Sequence, residues 1–315
     1  MVTIPQRVVI TEVVCRDGFQ DEARMIATSE KLALIHRLIQ AGVRSIEATA
    51  FVHPKVVPQM ADADTLLAQA PREHGVRYSA LLPNLKGAER ALAAGLDEIH
   101  LVVSASDSHN RANLNRTTAQ SLAQLATVAA FVQRAAPHVT IVGTVATAFG
   151  CPFTGRVPLE RLGWVIGHMQ AMGIEQVVLA DTTGMANPLQ VKQTLYALRE
   201  RFPQLEWGLH LHNTRGLGLA NAYAGLETGV TRFDAALGGL GGCPFAPGAT
   251  GNIATEDLVH MLHEMGVETG IDLDALIAAA RGLPALIGHD IDSFVVRSGK
   301  ACDLHTFSET AIARV

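Results

Sequence analysis

The sequence predicts a (β/α)8 barrel. Three observations lead there. Short apolar, β-branched runs alternate with helical patterns about eight times along 315 residues. The runs are evenly spaced. Polar residues fit for chemistry gather at their C-terminal ends, the face on which barrels of this class carry their sites. An open doubly wound sheet is the other architecture that such alternation allows. Even spacing favours closure.

Strands are expected over 8–14, 45–52, 77–82, 98–104, 140–148, 176–181, 206–212 and 232–237. Helices fall between them. In 29–41, Leu32, Ile35, Leu38 and Ile39 share a face and Gly42 stops the run. In 120–134 the inward set is Leu122, Leu125, Val128 and Val132. Asn187 followed by Pro188 reads as an N-cap and a first-turn proline. In 256–265, Leu258, Met261, Leu262 and Met265 face inward. Residues 1–289 are expected to form a single barrel domain with one additional C-terminal helix over 271–280, and 290–315 a polar tail.

An apolar content of 48% supplies one large core and excludes the disordered classes. A net charge of −5, with both signs interspersed, gives no basic stripe for nucleic acid. No run approaches the roughly 18–20 apolar residues of a membrane span, and the segment up to Arg7 has no long apolar or Arg/Ser-rich stretch. The four cysteines, Cys15, Cys151, Cys243 and Cys302, lie far apart with no CxxC pairing. Neither a disulfide framework nor a zinc knuckle is indicated, and a reducing cytoplasm is the expected location.

Three segments carry candidate chemistry. His210 and His212 are two apart on a strand, so both imidazoles face one way and can share a metal ion; taken alone, two satisfied core histidines fit the motif equally well. Arg16-Asp17-Gly18 ends the first strand, which in a closed barrel lies beside the eighth and near the seventh. An isolated Arg-Asp-Gly is more often a turn, but beside the histidines Asp17 becomes an anionic ligand and Arg16 a partner for developing negative charge. After the eighth strand, the glycine-rich stretch 238–252 holds Cys243 and Asn252, a pattern that reads as a mobile lid with a reactive thiol. Glu47 stands in an apolar strand and needs a partner, for which Arg16 is the candidate. Asp181 ends the sixth strand, where turn-forming and active-site roles weigh equally.

Together these segments resemble the hydroxymethylglutaryl-CoA lyase family. The likeness runs through Arg-Asp-Gly-Phe-Gln at 16–20, Phe-Val-His-Pro-Lys-Val-Val-Pro-Gln-Met-Ala-Asp at 51–62, Pro-Asn-Leu-Lys-Gly at 83–87, Gly-Cys-Pro-Phe at 150–153 and the glycine-cysteine loop at 239–252. The resemblance implies a divalent ion, Mg²⁺ or Mn²⁺, held by Asp17, His210, His212 and Asn252. It implies retro-Claisen cleavage of an acyl-CoA substrate, as of 3-hydroxy-3-methylglutaryl-CoA to acetyl-CoA and acetoacetate. Arg16 would stabilise the enolate, Glu47 would position Arg16, and Cys243 would close over the site and move a proton. Substrate contacts are expected from Gln20, Ala50, Val178, Asp181 and Thr182, with Lys86 for the coenzyme A phosphates, and a homodimer is the common assembly. The sequence departs from the family at Cys15 (commonly proline), Asn213 (frequently aspartate), and Ala50 and Val178 (often serine). A less polar pocket follows, and citramalyl-CoA or longer 3-hydroxy-3-alkylglutaryl-CoA substrates stay open beside hydroxymethylglutaryl-CoA. A pyruvate-forming metal aldolase would share the ligands without needing the cysteine loop.

Overall fold

In the computed structural model, residues 4–242 and 251–304 are described. Among them eight parallel strands close into a barrel in chain order: β1 Val9–Glu12, β2 Ser45–Ala50, β3 Arg77–Leu81, β4 Glu98–Ser104, β5 Thr140–Ala146, β6 Gln176–Asp181, β7 Glu206–Leu211 and β8 Arg232–Ala235. Closure is made by β1 pairing with β8, Thr11 opposite Asp234.

The outer layer follows the helical periodicity. The helix Thr118–Ala135 buries Leu122, Leu125, Val128 and Val132 and opens on a reciprocal Thr117/Gln120 cap. Asn187 accepts Gln190 N at 3.0 Å, ahead of Pro188. In the helix Thr28–Gln40, Leu34 joins Ile35, Leu38 and Ile39 in the core, while Leu32 is only partly buried.

The interior is more polar than the strand runs suggest. Glu98 on β4 accepts from Arg232 on β8 (Nη1–Oε2 3.0 Å), and Arg232 also reaches Gln176 Oε1 at 3.0 Å. His100 Nε2 stands 3.0 Å from Glu98 Oε1. Burial opposes ionisation of Glu98, but His100 and Arg232 outweigh it and hold the carboxyl at about 2. Because β4 and β8 lie on opposite sides of the ring, these bonds cross the lumen. They fix the inward phase of every strand through the register.

That phase breaks once. The β2–β3 register shifts between Glu47 and Thr49, so Glu47 and Ala50, three residues apart, pair with the same face of β3. Strict alternation along 45–52 does not anticipate this bulge.

Six strands, β1, β2, β3, β5, β7 and β8, end earlier than the apolar runs, and for three of them the bond that ends the strand is plain. After β1, Val13 O accepts from Arg16 N, Asp17 N and Gly18 N (3.1, 2.8 and 3.2 Å), winding Val14–Gly18 into a π-helical turn. β7 stops at Leu211 because His212 bridges the returning segment at Asn252. β8 stops at Ala235 because Leu237 N is taken by buried Glu12 (2.9 Å). The single extra helix expected after the barrel, Leu273–Ala280, is followed by two more, Leu283–Ile287 and Phe294–Ser298. The last is docked rather than loose: Asp257 accepts Phe294 N (2.9 Å) and Val295 N (2.8 Å). An N-cap of one turn and a distant carboxylate leave little periodicity to read. No helix among the described residues is long and apolar enough to cross a membrane.

Candidate active site

The π-helical turn after β1 places Arg16 and Asp17 over the C-terminal mouth of the barrel. His210 Nε2 and His212 Nε2 stand 3.1 Å apart, and each is 3.7 Å from Asp17 Oδ2. The three groups are the ones among the described residues that could hold a metal ion. Two ligands at right angles around an ion with bonds of about 2.1 Å lie about 3 Å apart, close to the histidine separation.

Asp234 sets the chemistry of the pair. Its Oδ2 is 3.3 Å from His210 Nδ1. A proton held there leaves the Nε2 lone pair facing Asp17. Burial disfavours a charged His210, yet Asp234 and Asp17 raise its pKa above the usual value. Burial likewise opposes the Asp17 carboxylate, and Arg16 with the two imidazoles overrides it, holding Asp17 well below the ordinary range.

Asn252 arrives from the far side of the glycine loop. Ile253 N donates to Leu211 O and Asn213 N to Gly251 O (both 3.0 Å), so the returning chain pairs with the end of β7. Asn252 Nδ2 then donates to Asp17 Oδ2 (2.7 Å) and Leu240 O (2.9 Å). Its Oδ1 is buried without a partner. An orphaned amide oxygen beside two imidazoles and a carboxylate is a mixed donor set of two oxygens and two nitrogens that can hold a divalent ion with positions left for substrate oxygens.

Arg16 bridges two acids. One guanidinium nitrogen contacts Asp17, and Nη2 lies 2.7 Å from Glu47 Oε2 on β2. Glu47 is 1% exposed, so the pairing expected from the sequence supplies the counter-charge that its burial requires.

The glycines serve close approach. Gly241 has φ +113°, and a Cβ there would meet Asn252 Nδ2 at 2.6 Å and Asp17 Oδ2 at 3.3 Å. At Gly251 a Cβ would fall 2.4 Å from Gly239 O. Gly241→Ala is therefore expected to cost about 1–3 kcal/mol through the backbone alone and to drive Asn252 off Asp17. A barrel still folded by circular dichroism should show turnover reduced about tenfold or more; unchanged turnover would mean that this approach is dispensable.

The other expected contacts differ in how far they are exposed. Asp181 is fully buried, and its oxygens accept Met185 N (2.8 Å) and Ala186 N (3.0 Å), the turn-forming role. Ala50 is 0% exposed, and Val178 is 1% exposed and packs across Gly208, where a Cβ would meet its Cγ2 at 2.9 Å. Neither presents surface to a substrate. Thr182 is partly exposed, with its hydroxyl oxygen accepting Thr147 N at 2.9 Å. Gln20 is partly exposed just past the π-helical turn. Lys86 is exposed and sits in the first turn of the helix Leu85–Ala93, capped by Asn84. Cys243 lies outside the described residues. Sequence reasoning missed Asp234; its signal was the Arg232-x-Asp234 spacing, two charges in phase on one strand.

Residues 7–282 match the HMGL-like family model. The chain belongs to the HMGL-like family. It is 45% identical over 304 residues to an (R)-citramalyl-CoA lyase of Chloroflexus aurantiacus, covering 93% of this chain and 95% of that one. It is 43% identical over 289 residues to the hydroxymethylglutaryl-CoA lyase YngG of Bacillus subtilis (92% and 96% covered). Among solved structures, an HMG-CoA lyase from Acinetobacter baumannii in complex with coenzyme A and 3-methylmalate superposes with a TM-score of 0.91 at 46% identity, covering 98% of this chain and 100% of that one. Membership of the HMGL-like family makes the protein a carbon–carbon lyase.

Proposed function

We propose that the chain is a divalent-metal-dependent lyase that cleaves a 3-hydroxyacyl-CoA of the hydroxymethylglutaryl-CoA type into acetyl-CoA and an oxo acid. The observation that carries the reading is the convergence of Asp17, His210, His212 and Asn252 at one rim, with the Arg16 guanidinium beside them. A bound Mg²⁺ or Mn²⁺ would supply the Lewis acidity that holds and acidifies the substrate hydroxyl.

The residues divide the remaining work. As the hydroxyl proton passes to solvent at the barrel mouth and the C2–C3 bond breaks, C3 becomes a carbonyl and the electron pair passes into the thioester. Negative charge then grows on the thioester oxygen, and Arg16, held by Glu47, faces it as a fixed cation. The enolate carbon must next gain a proton to become the methyl of acetyl-CoA. Cys243, in the sequence between Gly241 and Gly251, is the proposed donor. His210, oriented by Asp234, keeps its lone pair directed at the site.

A citramalyl-CoA substrate, which would give pyruvate in place of acetoacetate, is supported as a second reading by the Chloroflexus relative. The test is a panel of acyl-CoA thioesters followed by mass spectrometry for acetyl-CoA, with Mn²⁺ and after chelation. The expected result is acetyl-CoA from at least one 3-hydroxyacyl-CoA, abolished by EDTA and restored by the ion. Full activity after chelation would remove the metal from the scheme.

A further inference from the structure

The end of the barrel opposite the catalytic mouth holds a second opening. Gln176, Glu206 and Arg232 are the first residues of β6, β7 and β8. β7 and β8 pair only from Gly208 and Arg232 onward, so Glu206 and Trp207 lie beyond the ladder and the two strands part there. A cavity of about 270 Å³ fills the gap. Strand phase gives it two sides. Glu206 and Gly208 face the lumen with His210. Trp207, paired with Val177, faces the outer layer, where Arg199 of the helix Pro188–Arg201 lines the same cavity.

The two sides differ in charge. On the lumen side Arg232 is taken by Glu98 and Gln176, and Glu206 is exposed at the rim. On the outer side Arg199 is the one charged residue, and it makes no hydrogen bond or ion pair among the described residues. Its Nε is buried without an acceptor, and so is Nε1 of Trp207, a side chain 4% exposed. Burial pushes the Arg199 guanidinium below its ordinary value, and no carboxylate offsets it. Two buried donors and an uncompensated cation beside one cavity weaken the fold unless an acceptor joins them. A carboxylate meets both needs, with paired oxygens for the planar guanidinium and the indole N–H. Much of the remaining lining is hydrocarbon or bare backbone, from Val177, Val178, Leu205, Gly208 and Gly229. Phosphate would find the donors but lose hydration against this apolar part.

We infer that this cavity binds a small aliphatic carboxylate, its head group on Arg199 and Trp207 and its chain along Leu205 toward Val178. The site lies at the far end of β7 from His210 and shares no residue with the metal centre, so neither depends on the other.

Calorimetric titration of the full-length protein with hexanoate reads the binding. A saturable site with a Kd of about 1 mM or tighter is expected. Hexanamide, which keeps the shape without the charge, should bind at least about tenfold more weakly. Arg199→Met should weaken hexanoate about tenfold or more, and Trp207→Phe, which removes the N–H and keeps an aromatic ring, about threefold or more. Both variants should keep the wild-type circular dichroism and bind Mn²⁺ as the wild type does, which separates loss of this site from damage to the barrel. Hexanoate binding that survives in folded Arg199→Met places the carboxylate elsewhere and overturns the inference. Equal binding of hexanamide, or tighter binding of inorganic phosphate than of hexanoate, does the same. Absence of saturable binding to the wild type leaves the cavity to water and overturns it as well. Should Arg199→Met fail to fold, Trp207→Phe decides in its place, and an unchanged affinity there is equally fatal.

Discussion

Asp17→Ala should abolish both metal binding and acetyl-CoA release. Asp17 is the one carboxylate in the ligand group, its Oδ2 faces both imidazoles, and it receives the Asn252 amide. Its removal takes away the negative charge that draws a divalent ion and leaves Asn252 Nδ2 with one bond fewer. Lewis-acid activation contributes several kcal/mol, and at about 1.36 kcal/mol per decade the loss is about a thousandfold or more in rate. Titration with Mn²⁺ followed by electron paramagnetic resonance reads the binding directly, independent of turnover. Asp17→Asn keeps the shape and removes the charge, so loss of Mn²⁺ binding in that variant too would assign the effect to charge. Normal binding and turnover in the alanine variant would dismantle the proposed centre.

Arg16→Met should separate catalysis from metal binding. The ligand atoms of Asp17, His210 and His212 stay in place, so Mn²⁺ binding should survive. The fixed cation for the thioester oxygen is lost, and kcat should fall about a hundredfold to a thousandfold, the usual cost of one preorganised donor. The same substitution strands Glu47, 1% exposed and left without its guanidinium. Orphaning one partner of a buried pair costs about 3–5 kcal/mol of stability. The double variant Arg16→Met/Glu47→Gln should therefore regain much of the lost resistance to urea while staying slow. Recovery of turnover along with stability would show that Arg16 acts only as scaffold.

These expectations grew from residues whose chemistry is visible in the chain itself. His210 and His212 declare a shared side because strand geometry repeats every two residues. Arg16 and Asp17 declare themselves through the company they keep, and Glu47 through being a charge in an apolar run. All of them meet at one rim, as do the barrel and its strand order. What escaped notice depended on departures from regular geometry. The β2 bulge re-phases Ala50, and no composition signal marks it. The π-helical turn exists because one carbonyl, Val13 O, serves three amides. The helix Phe294–Ser298 is held by Asp257, which precedes it by 37 positions. Asp181 was balanced between two roles, and only its two backbone amides decide for the turn. Long-range partners of this kind leave no periodic trace.

The bond between Asp17 and Asn252 spans 235 positions and sits at the seam where the first and last strands join. A chain growing from its N-terminus thus carries Arg16 and Asp17 from the start yet has no competent centre until Asn252 has been synthesised and the ring has shut. Products of translation that end before Asn252 should be inert toward thioesters and weak at sequestering metal, so that the cell meets the reactive assembly only once the ring has closed.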